Sequence, residues 1–147
     1  MDTSYGKLGI VIAINTVVMF LLTYALIDQL DHFYFNINRV YMALMMVAPM
    51  IILMLFVMGS MYKNDTLNYV LYSGFAALFI ASFALARTQT PIGNEQFLRS
   101  MIPHHSSAIV MCQESAISDP EIVELCGTIV KTQEEEIAQM KTILQRY

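Results

Sequence analysis

The chain has 147 residues, of which 56% are apolar and only 14% charged, and its formal net charge is −4. A mean hydropathy of +0.54 is unusual for a water-soluble domain and is explained by apolar runs long enough to span a bilayer. Neither half carries a basic patch, which argues against nucleic acid as a partner, and no phosphate loop or dinucleotide fingerprint is present.

Three membrane spans are read in chain order, at about Leu8–Ile27, Val40–Met61 and Leu67–Ala86. Each is close to the ~20 residues needed to cross ~30 Å of hydrocarbon. The first does not have the pattern of a signal peptide: a single Lys7 precedes it and no small-x-small cleavage site lies ahead of Asp28. Tyr24, Phe33, Tyr34, Phe35, Tyr41, Tyr62 and Tyr69 fall near span ends, as an interfacial aromatic belt would. The basic residues flanking the spans, Lys7 and Lys63 against Arg39 and Arg87, do not choose an orientation. In the first loop, His32 beside Asp28 and Asp31 reads as a wet interfacial cluster rather than a hard-ligand site.

The second span carries Met42, Met46, Met50, Met54 and Met58 at intervals of four. Thioethers are soft ligands that select Cu(I) and Ag(I), so the stripe is a candidate metal path. The plainer reading is packing, because methionine fills irregular gaps and a four-residue repeat drifts ~40° per step around a 3.6-residue helix. Ser73, Ala77 and Ala81 on the third span read as ordinary helix–helix contact in a bilayer.

After Arg87 the composition changes, and the net acidity of the chain lies entirely beyond residue 90. The boundaries are therefore a three-span domain over 1–90 and an extramembrane domain over 91–147. The second domain reads as two helices, about 94–117 and 120–146. Pro103 in the first should kink it or leave the carbonyl of Arg99 free. Asp119 and Pro120 open the second as N-cap and first helical residue. The tight connection between them predicts an antiparallel hairpin, so the fold class is all-α.

In that hairpin Cys112 faces Cys126, His105 faces Gln133 and Met101 faces Ile137. Met101, His105 and Cys112 share one face of the first helix, and His104 and Met111 share its flank. Imidazole, thioether and thiol are borderline to soft ligands, which points to copper or silver rather than magnesium or calcium.

The stretch from Phe97 to Met111, with Met101-Ile102-Pro103-His104-His105 at its centre, resembles the signature of domain-of-unknown-function family 305. The resemblance continues through Leu125, Ile129, Gln133, Glu136, Ile137 and Met140. It implies a small helical, ferritin-like hairpin associated with copper or silver tolerance, with metal held by Met101, His104, His105, Met111 and Met140 and no enzymatic activity. Cys112 and Cys126 stand where the family usually has small residues. Their pairing is either a disulfide or a two-thiolate Cu(I) site. The three-span half weakly resembles the high-affinity copper transporters, which use methionines four apart on their second span.

A lone hairpin exposes one apolar seam and cannot close a core. The expectation is a homo-oligomer or a larger membrane complex assembled through that seam. The leading functional expectation is a non-enzymatic, membrane-anchored Cu(I) or Ag(I) binder at a bacterial inner membrane, with its C-terminal domain in the periplasm. The alternatives are a structural or accessory subunit whose hairpin docks a partner, and a methionine-lined transport path.

Overall fold

The computed structural model describes residues 3–147, with side chains from Ser4 onward. Among the described residues five α-helices follow one another: α1 (Thr3–Leu22), α2 (Ile37–Val57), α3 (Asp65–Thr88), α4 (Asn94–Glu114) and α5 (Pro120–Leu144). Short 3-10 turns occupy Leu30–His32 and Gly59–Met61, and no strand occurs among the described residues. The fold is all-α, and α1, α2 and α3 are each long and apolar enough to cross a membrane.

Local chemistry sets the boundaries. α1 stops at Leu22, five residues before the end of the expected span. The Thr23 N–H splits between the carbonyls of Met19 and Phe20, and the Thr23 hydroxyl donates to Phe20 at 2.6 Å. α2 begins at Ile37 rather than Val40, because Oε1 of Gln96 accepts the Ile37 N–H at 2.9 Å and satisfies one of the donors a helix start leaves orphaned. Asn64 caps α3 by accepting the Leu67 N–H, and Asp119 caps α5 by accepting from Glu121 and Ile122. α3 ends on Gln89 in the left-handed region at φ 52°, a position where glycine is usual.

The chain divides into two compact units. The first takes the chain up to Thr23 together with Asn38–Pro91. Its core is Leu8 from α1, Val47, Ile51 and Leu55 from α2, and Tyr62. Met50 and Met54 pack against this cluster, whereas Met42, Met46 and Met58 are exposed. The drift of a four-residue repeat accounts for the split, since the two ends of the stripe cannot share a straight face with its middle. Nδ2 of Asn15 donates to the Met50 sulfur at 3.1 Å, so the strongly polar side chain of α1 has a partner within the unit. Ile10, Ile14, Val17, Phe56, Ile80 and Phe83 face outward, as lipid-contacting residues would.

The second unit joins Tyr24–Ile37 to Ile92–Tyr147. α4 and α5 form the antiparallel hairpin, with Leu98, Ile102 and Ile109 packed on Ile137 and Met140. The loop between the first two spans belongs to this unit, and Tyr34 packs directly on the hairpin core. The seam that looked open in the sequence is thus partly covered from within the chain.

Candidate metal centre

α4 carries most of the candidate ligands, and the structure separates them into three environments. Met101 and Met140 lie in the hairpin core or against it, with Met140 9% exposed. His104 and Met111 lie on the outside, with Met111 61% exposed. His105 is half-buried between the helices, its ring 6.0 Å from that of His104 and edge-on to it.

His105 is fully engaged. Nδ1 sits 2.9 Å from the carbonyl oxygen of Met101 and Nε2 2.7 Å from Oε2 of Glu136. Both neighbours are oxygen acceptors. The partner is Glu136 rather than Gln133. The two lie three residues apart on one face of α5, and the charged carboxylate makes the stronger hydrogen bond. His104, by contrast, makes no hydrogen bond or ion pair among the described residues.

Cys112 and Cys126 are joined as a disulfide, with Cα atoms 5.3 Å apart and a sequence separation of 14. In this state neither sulfur is a thiolate. Among the described residues no three His, Cys, Asp or Glu side chains are grouped to hold one ion. The convergent stack expected from the hairpin register is therefore replaced by a disulfide near the connection, a His105–Glu136 pair further down and the open His104–Met101 turn beside it.

The His32 cluster, expected from the sequence to be wet and interfacial, is instead buried at its histidine. His32 is buried, with Nδ1 2.9 Å from Oγ of Ser106, and the Asp28 N–H donates to the same Oγ at 2.7 Å. Asp31 pairs with Lys141, and the Lys141 hydrogen bond holds its carboxyl below the usual range. Burial pushes the His32 imidazole below its ordinary value, and the Lys141 charge adds to that against the opposing pull of Asp31 and Asp28. Asn36, fully buried, donates Nδ2 to the carbonyls of Tyr34 and Arg99 and to the Tyr24 hydroxyl. The sequence signal was Pro103, which predicts an unpaired Arg99 carbonyl, but nothing local names Asn36 as the group that meets it.

Residues 82–144, from the second half of α3 to the end of α5, match the family described as Domain of unknown function (DUF305). The chain is also 35% identical over 111 residues to the Uncharacterized protein L153 of Acanthamoeba polyphaga mimivirus, an alignment covering 74% of this chain and 71% of that protein. The chain belongs to the DUF305 family. The alignment with the viral protein is longer than the DUF305 region, so the likeness extends beyond the hairpin. No solved structure matches the chain.

Proposed function

We propose that this DUF305 protein is a membrane-anchored binder of a soft monovalent metal, Cu(I) or Ag(I), which it captures and passes on by ligand exchange without covalent chemistry. One observation carries the reading: His104 is exposed and unengaged one helical turn from Met101, so an imidazole and a thioether lie within reach of a two-coordinate ion. His105 joins them only by giving up Glu136. Met111 offers an exposed thioether two turns along, suited to hand-off, whereas Met101 is half-buried and Met140 stays in the core. The cysteines contribute only if their bond is reduced. The metal is cargo in this reading, not a resident cofactor.

Three crossings would put the Tyr24–Ile37 loop and the hairpin on the same side of the membrane, in keeping with their membership of one unit. The disulfide favours an oxidising compartment for that side, which for a bacterial inner membrane is the periplasm. The test is a competition titration of the full chain in mild detergent against a chromogenic Cu(I) chelator. The wild type should take up Cu(I) stoichiometrically, and the His104→Ala/His105→Ala variant should not. Equal uptake by both overturns the assignment.

A second reading has its own support. His105 and His32 are both committed to contacts within the unit, and Ile122, Val123, Leu125 and Met111 are exposed near the helix connection. Those features suit an accessory subunit or homo-oligomer in which the hairpin docks a partner. A monodisperse monomer in detergent, unaffected by Leu125→Glu, would count against it.

A further inference from the structure

We propose that the Tyr24–Ile37 loop is a pH-operated clasp, gripping the hairpin while His32 is neutral and releasing it when His32 takes up a proton. The argument starts at Ser106. Its Oγ accepts the Asp28 N–H at 2.7 Å, so its single hydroxyl proton must go elsewhere. A helical serine commonly donates to the carbonyl four residues back, as Ser107 does to Pro103. Ser106 makes no such bond, and its remaining polar neighbour is Nδ1 of His32 at 2.9 Å. Donation to Nδ1 gives that proton an acceptor, which leaves Nδ1 unprotonated and puts the ring proton on Nε2, 3.8 Å from Oδ1 of Asp31.

A protonated ring would set an N–H against the hydroxyl proton of Ser106, which would have to swing away from the ring and lose its acceptor. It would also place a cation in a site where the ring is 4% exposed and faces the charge of Lys141, so protonation works against docking of the loop. The charged groups around the ring are Asp28 and Asp31 from the loop and Lys141 and Glu134 from α5, while α4 contributes the uncharged Ser106 and Ile109. Asp28 and Asp31 favour the proton. Burial and Lys141 oppose it and prevail, so the docked loop binds fewer protons than the free one. Docking therefore weakens as pH falls below the ordinary imidazole value of 6.5. The Asp31–Lys141 pair does not share this dependence, because its carboxyl stays ionised until far more acid conditions. Release would also open the cleft of about 230 Å³ between His32, Ile109 and Ile137.

The experiment is amide hydrogen exchange on the full chain in detergent, following the peptide that contains Asp28–Phe33 and correcting for intrinsic exchange. Between about pH 7.5 and about pH 5.5 the wild type should lose protection by up to about tenfold for each pH unit that docking lowers the imidazole value. His32→Asn, which keeps an acceptor near the Nδ1 position but cannot titrate, should show no such loss. Unchanged wild-type protection, or an equal loss in His32→Asn, overturns the clasp. Should His32→Asn fail to fold, ¹⁵N spectra of the wild-type imidazole decide: a neutral Nε2–H tautomer near pH 7 supports the proposal and an imidazolium there overturns it.

Discussion

Asn36 gives its side-chain amide to the carbonyl of Arg99 at 3.2 Å, filling the vacancy that Pro103 creates by having no N–H to offer four residues later. A loop more than sixty residues away thus completes a helix. Asn36→Ala should destabilise the second unit by about 1–3 kcal/mol, the cost of a buried acceptor left unmet. Pro103→Ala supplies the missing helical donor, so the double variant should lose less than the two single losses combined. Denaturant melts of the full chain, read as a double-mutant cycle, would show strict additivity if the two residues are independent.

The Cys112–Cys126 bond closes a short loop around the helix connection. Cys112→Ser should lower the stability of the hairpin by about 2–3 kcal/mol, chiefly by loosening the unfolded chain. Thermal melts with and without reductant should show the wild type falling to the level of the variant on reduction, and no shift in the variant.

Glu136 competes with any ion for Nε2 of His105. Glu136→Gln replaces a charge-assisted hydrogen bond with a neutral one, so Cu(I) affinity should rise by up to about tenfold if His105 enters the site. Chelator titrations of the two proteins test this, and identical affinity in Glu136→Gln would confine binding to His104 and its thioether neighbours.

Lys141 helps hold His32 neutral while anchoring Asp31. Lys141→Met removes a repelling positive charge and frees the Asp31 carboxylate, and both changes should raise the His32 pKa. Imidazole NMR titration would measure it. A downward shift would show that Lys141 acts through burial rather than charge.

The helices and their caps were legible because their causes are local. Asp119-Pro120 marks a helix start whatever surrounds it, and the opposition of Cys112 and Cys126 follows from a short connection. Near the connection the register held, while His105 met Glu136 instead of Gln133, one turn further along the same face. What local pattern could not supply was the long-range chemistry. His32, flanked by acidic residues, looked like a surface group, yet it is 4% exposed because Ser106, 74 residues on, receives it. The candidate ligands were visible as residue types, but whether a side chain faces solvent, the core or a carboxylate depends on the opposite helix and on a loop the pattern treated as a mere connector. The methionine stripe shows the same limit: its spacing and drift were plain and predict that its members cannot all share one face, but that Met50 and Met54 are the packed ones depends on the residues opposite them.

The second unit is assembled from two segments far apart in the chain. Asp31 and Lys141 lie 110 residues apart in sequence. At roughly 5–20 residues per second, the ribosome needs roughly 5–20 s after making one to make the other. During that interval the loop has no complete hairpin to dock on, so this unit closes only after α5 is made, and a premature stop codon anywhere in α5 would forestall it.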